Sequence, residues 1–182
     1  MKNYTIKIKF ISPYLQARFS EEAKEELLKD ARQTILKNIK DEDEQWIRLS
    51  YFDKNGYYVP SEQIESTLSN AGKDFKMKAK RSSLKEWVKA SIFCDTGKYY
   101  LNKQQPDEKL VSYPRRKDGN KVRIIHPAFN IGTELEFKLQ ILDDNFSEDT
   151  LKDLLVTAGK RYGLGARRPK FGRFELVNLV KI

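Results

Sequence analysis

Residues 160–174, KRYGLGARRPKFGRF, gather the side chains of this chain whose types and spacing are best suited to chemistry. Six are basic, Lys160, Arg161, Arg167, Arg168, Lys170 and Arg173, and none is acidic. Arginine brings a planar fork of donors that matches phosphate and a flat surface on which bases stack, so the segment is suited to a polyanion. Gly163, Gly165 and Gly172 permit backbone conformations that other residues resist and let a phosphate come close to main-chain N–H groups. Equally, Gly163 can end a helix while Gly165 and Gly172 shape a turn. Tyr162, Phe171 and Phe174 offer faces for stacking bases or for filling a core. The glycines follow a helix and precede a strand, the reverse of a dinucleotide-binding turn, so no Rossmann site is expected.

Two further clusters are basic. Lys73, Lys76, Lys78, Lys80, Arg81, Lys85 and Lys89 are opposed only by Asp74 and Glu86, and Arg115, Arg116 and Lys117 are followed by Lys121 and Arg123. Either can track phosphates, each contact steepening the salt dependence of binding, or form a solvated face. Tyr99, Tyr100 and Tyr113 can stack on bases or cover the edge of the core. For catalysis, His126 is the only histidine and thus the one obvious acid/base candidate at neutral pH. No Ser-His-Asp order, metal-ligand cluster or P-loop is present. Asp143 and Asp144 are adjacent, and neighbours in a strand point to opposite faces, so a shared ion is not expected. No metal and no cofactor are expected.

The composition narrows the class. The 182 residues are 39% hydrophobic and 12% aromatic, which suits one globular domain with an ionised surface and excludes disorder of the whole chain. The single cysteine, Cys94, excludes an internal disulfide and a cysteine-built zinc cage, and a reducing cytoplasm fits. No apolar run approaches the length of a membrane span, so no membrane partner is expected. The net charge of +9 favours nucleic acid as partner.

Periodicity supplies the elements that must position these groups. Tyr4, Ile6, Ile8 and Phe10 alternate with Thr5, Lys7 and Lys9, which predicts a half-buried strand over 4–10. Ser20 caps an expected helix to about Asn38, and Trp46–Phe52 with Tyr57–Val59 suggest a hairpin across Asn55-Gly56. Ser61 is expected to cap a helix carrying Ile64, Leu68, Ala71 and Phe75, and Ser83 with Glu86 has capping-box spacing ahead of an extended stretch through Ile92 and Phe93. Residues 96–120 suggest a long exposed loop or irregular hairpin. Strands are expected over Val122–His126, ended by Pro127, over 135–141 and over 174–182, with a helix opened by Ser147 and ended at Gly163 between the last two.

Strand, helix, strand, strand, helix, strand is the order of an α+β ferredoxin-like (RRM-like) sandwich, an antiparallel sheet with two main helices on one face and the other face free to bind. A single domain over 1–182 is expected, with insertions near 14–52 and 96–120.

A glycine- and arginine-rich loop between the last helix and last strand of such a domain resembles the hallmark of the RAMP superfamily, the repeat-associated RNA-binding proteins of CRISPR systems. Gly163, Gly165, Gly172 and Arg173 sit where that loop would place them. Tyr58–Leu68 is similar to the extended-Pro-Gly-Ser-Ser-helix segment of backbone-type RAMP subunits, but lacks the glycine after Pro60, so Ser61 would cap alone. The chain is short for a CRISPR backbone subunit, which leaves a stand-alone phage or mobile-element relative open. The resemblance implies binding of RNA or single-stranded nucleic acid on the sheet side and the glycine-rich loop, with other RAMP-like subunits as further partners. Related CRISPR RNA-processing endoribonucleases often use histidine to cleave at the 2′-hydroxyl, though nearer the N-terminal part than His126.

Together these expectations give non-catalytic binding of RNA or single-stranded DNA. The groups involved would be Lys160, Arg161, Gly163, Gly165, Arg167, Arg168, Lys170, Gly172 and Arg173, with Lys78, Lys80, Arg81, Arg115 and Arg116 on the adjacent surface. The alternatives are a metal-independent endoribonuclease using His126, or a protein-interaction subunit of a CRISPR or phage assembly.

Overall fold

The structure, a computed structural model, describes residues 1–18, 46–76, 83–115, 119, 121 and 123–182. The expected helix at 20–38 and the basic residues Lys78, Lys80, Arg81, Arg116 and Lys117 lie outside the described residues.

The alternation that marks the first strand builds the centre of the molecule. Strand β1 (Lys2–Phe10) buries Tyr4, Ile6, Ile8 and Phe10, and β9 (Glu134–Ile141) buries Leu135, Phe137, Leu139 and Ile141. The two strands pair antiparallel, with Ile6 opposite Phe137, so both sets lie on one side. Each such side chain contributes about 1.5–3 kcal/mol on burial. Strand β10 (Phe174–Lys181) pairs with the other edge of β1, and the short β5 (Ile92–Cys94) pairs with β9, giving an antiparallel sheet of order β10-β1-β9-β5.

Two helices close this core. Helix α1 (Ser61–Ala71) contributes Ile64, Leu68 and Ala71, and α3 (Glu148–Thr157) contributes Leu151, Leu154 and Leu155 to the same cluster as the sheet residues. Ser147 caps α3 as its type predicts, its Oγ accepting from the Thr150 N–H at 3.2 Å. Ser61 does not cap α1. It is the first helical residue, Pro60 holds the cap position without a side-chain bond, and the Ser61 N–H donates to the Gly97 carbonyl. The Ser83–Glu86 capping box is also absent, because Ser83 bridges to Lys76 and Leu84 precedes α2 (Lys85–Ser91).

The strand expected over 122–126 exists as β8 (Ile124–Phe129), but belongs to a different sheet and runs through Pro127. It is the middle of β2-β8-β7, between β2 (Tyr14–Leu15) and β7 (Glu108–Ser112). The second strand of the main sheet is β5, whose three residues are too few to show a period. The Asn55-Gly56 hairpin forms between β3 (Phe52–Asp53) and β4 (Gly56–Pro60), with β6 (Lys98–Tyr100) alongside. Residues 46–48 are helical, not extended. The stretch 96–120 is therefore partly built from β6 and β7. The protein is a mixed α/β structure with several antiparallel sheets, and none of its described helices is long and apolar enough to cross a membrane.

Candidate functional site

After α3 the chain makes one wider turn (Ala158–Tyr162) and stops at Gly163, whose φ of +70° is open chiefly to glycine. The loop that follows is fastened to residues 11–15 by its own main chain. Ala166 N donates to the Leu15 carbonyl and Gly172 N to the Pro13 carbonyl, both at 2.8 Å, and Arg173 N donates to Ser12 Oγ at 2.8 Å. Ile11 N donates back to the Arg173 carbonyl, and Leu164 N closes the loop on the Gly172 carbonyl. A Cβ at Gly172 would lie 1.7 Å from the Leu164 carbonyl oxygen, and one at Gly165 2.3 Å from that of Leu15. These two glycines, with Gly163, are thus faced by the protein's own backbone.

One side chain of the loop, that of Arg168, is hydrogen-bonded to α1. Arg168 Nη1 donates to Thr67 Oγ1 at 3.1 Å, and Thr67 Oγ1 donates to the Gly163 carbonyl at 3.0 Å. Arg161 pairs with Asp74 just beyond α1 at 3.0 Å. Arg161, Arg167 and Arg168 then line a shallow groove with Lys73, Asn70 and Tyr162, enclosing about 630 Å³. Among the described residues its four cations outnumber the acids at its margin, Asp74 paired with Arg161 and Glu62 in the adjoining hollow beside Arg168. Lys160, Lys170 and Arg173 are exposed, with the Lys170 ammonium over the Phe171 ring. Arg115 is exposed and bridges to Lys121 beyond the β7–β8 pair, and does not line the groove.

Arg167 is held from behind. Its φ is +61°, and its Nε and Nη2 both donate to Ser112 Oγ at 3.2 Å. Ser112 Oγ lies 2.9 Å from His126 Nε2, and His126 Nδ1 lies 2.9 Å from the Gln16 carbonyl oxygen. A carbonyl only accepts, so Nδ1 carries the proton, Nε2 accepts from the Ser112 hydroxyl, and the hydroxyl oxygen accepts from Arg167. His126 is 2% exposed, and burial pushes its pKa below the ordinary value, with the Gln16 carbonyl opposing and the Arg167 charge adding to the effect. Gln16, fully buried, ties this chain to the hairpin through Tyr58 O and Tyr51 N. Ser112, Gln16 and Thr67 carry no motif. Their sequence separations of 55 and more from the loop leave no signal that spacing could reveal.

The open face of the main sheet is different. Lys7 pairs with Glu134 at 2.6 Å and stands opposite Glu136, while Lys9 stands opposite Glu134 and Glu175. The Glu134 carboxylate holds the Lys7 ammonium above its ordinary pKa. With Lys138, the three lysines face three glutamates. Among the described residues no group of three or more His, Cys, Asp or Glu is placed to hold a metal ion.

No family model and no curated protein matches the sequence. Solved structures do. A chain of a type III-B Cmr-beta complex bound to cognate target RNA superposes with a TM-score of 0.58 at 14% identity, over all of this chain and 60% of that one. This chain thus spans less than two thirds of that neighbour's length. A chain of a type IV-B CRISPR complex gives a TM-score of 0.50 at 10% identity, over 99% of this chain and 90% of that one. A CRISPR protein from Archaeoglobus fulgidus gives 0.42 at 12% identity, over all of this chain and 64% of that one. At such identities the likeness is one of fold, and the fold is one that subunits of CRISPR effector complexes also have.

Proposed function

We propose that this chain is a RAMP-like subunit that binds RNA or single-stranded DNA without cleaving it, in the groove between α1 and the glycine-rich loop. The observation that carries this is the charge of the groove: among the described residues Lys73, Arg161, Arg167 and Arg168 line one surface, and the acids lie only at its margin, Asp74 on Arg161 and Glu62 beside Arg168. Cations gathered without matching acids favour a phosphate backbone, with affinity that falls as salt rises. The neighbour complex bound to target RNA has a subunit of this fold, which supports the same ligand class. Other subunits as partners are supported by both complexes.

The main sheet supports a ferredoxin-like core. In chain order its elements are β1, α1, β5, β9, α3, β10, and the spatial order β10-β1-β9-β5 places the fourth strand beside the first and the third beside the second. Phosphates would meet the side chains of Lys73, Arg161, Arg167, Arg168, Lys160, Lys170 and Arg173. Gly163, Gly165 and Gly172 would shape the loop that presents them. Cleavage by His126 finds no support, because the ring is buried and both nitrogens are hydrogen-bonded.

The test is fluorescence anisotropy with labelled single-stranded RNA, single-stranded DNA and duplex over a salt series. Wild type binds a single strand, and changing Lys73, Arg161, Arg167 and Arg168 to Ala lowers the slope of log K against log salt by up to about 3, at about 0.7 per phosphate contact. Absence of binding by wild type at low salt overturns the proposal and favours a protein partner.

A further inference from the structure

The groove cations are not held alike. Lys73, Arg161 and Arg168 are exposed, whereas Arg167 is half-buried and docked through two of its donors on one hydroxyl. A guanidinium has five N–H donors. Nε–H and one Nη2–H point back to Ser112, which leaves three directed away from it, on a residue that lines the groove. The docking hydroxyl is itself oriented, since His126 Nε2 takes its proton and turns its lone pairs to Arg167. The imidazole is fixed in turn by the buried main chain at Gln16. Such an arrangement removes rotamer freedom from the arginine before any ligand arrives.

We infer that Ser112, oriented by His126, is a positioning residue that pre-organises Arg167 as the anchoring guanidinium of the groove for a phosphate of the bound strand. This rests on the nucleic-acid reading above. Ser112 itself need not touch the ligand. Its contribution is the ordering of a rotamer-rich side chain, which otherwise opposes binding by about 0.5–1.5 kcal/mol, a factor of roughly 2 to 12 in affinity.

That mechanism separates affinity from contact number. Ser112→Ala is expected to weaken single-stranded RNA binding by roughly 2- to 12-fold while leaving the salt slope unchanged, because Arg167 still reaches its phosphate in the complex. Arg167→Ala is expected to weaken binding and lower the slope by about 0.7. In the Arg167→Ala background, Ser112→Ala should have no further effect, and Ser112→Thr, which keeps the hydroxyl, should bind as wild type does. Thermal melts of each variant report whether the fold is intact.

The inference is overturned if Ser112→Ala binds as tightly as wild type, or if it weakens binding equally with and without Arg167. If wild type binds no RNA at low salt, the functional reading itself fails, an outcome distinct from either of these.

Discussion

The groove beside the glycine-rich loop and the open face of the β10-β1-β9-β5 sheet both present cations, yet in opposite company. On the sheet, Lys7, Lys9 and Lys138 share a face with Glu134, Glu136 and Glu175, and the pleat puts opposite charges across from each other, as at Lys7 and Glu136. In the groove, Lys73, Arg161, Arg167 and Arg168 come from two distant segments and outnumber the described carboxylates at its margin, Asp74 and Glu62. The net charge of +9 is therefore not spread evenly, and the sheet, the obvious platform of an α+β sandwich, is the electrostatically neutral surface. A count of lysines and arginines does not identify an anion site. Their partners do.

The largest way to disturb this contrast is through the loop's backbone. Gly172→Ala puts a methyl 1.7 Å from the Leu164 carbonyl oxygen at a φ of +74°. The expected loss is on the order of 3 kcal/mol, a melting temperature lower by roughly 6–12 °C, with RNA binding falling as the loop is displaced. An unchanged melt would show that the glycines are not what holds the loop. Next comes the direct comparison of the two surfaces. The groove variant lacking its four cations should lose about 100-fold or more in RNA affinity near 0.1 M salt, whereas Lys7, Lys9 and Lys138 changed together to Ala should lose far less. Equal losses by the two variants would return the sheet to consideration as a binding face.

A smaller effect sharpens the account of Arg167. His126 has a folded-state pKa below its ordinary value of 6.5. The unfolded chain then binds the proton more readily, so stability is full above about 6.5 and falls as pH drops below it. The melting temperature should fall between about pH 7 and pH 5, and by less in His126→Gln; the same fall in both would mean that other groups set the acid response. Smallest of all is Lys7→Ala. Its pair with Glu134 lies at the surface, so the melt should not move measurably, and a clear drop would show the sheet's charge pairing to be structural.

Much of the scaffold is legible in the residues. β1 and β9 follow from alternation, and α3 follows from Ser147 and its apolar stripe, because these elements bury one face and the period of that face is written locally. In β10, by contrast, a bulge beside Lys7 and Ile8 breaks the period, turns Leu179 inward and leaves Val180 and Ile182, expected on its apolar side, exposed. The helix cap at Ser61 and the membership of 122–126 in the main sheet do not follow. A cap depends on where the preceding proline lies, and sheet membership depends on which strand is nearest in space, as β5 outcompetes β8 for the edge of β9. Strand β5 has three residues, too few for a period to be read.

The candidate site divides in the same way. The sequence by itself determined that residues 163–173 form a basic, glycine-interrupted loop between a helix and a strand, since residue types and local order carry that information. Only the tertiary structure decided that the glycines face the protein's own backbone, that Lys73 joins the arginines, that the lone histidine is buried, and that Ser112 holds Arg167. Those facts arise from contacts between residues tens of positions apart. Packing brings such residues together for reasons of shape and burial that no short window of the chain contains.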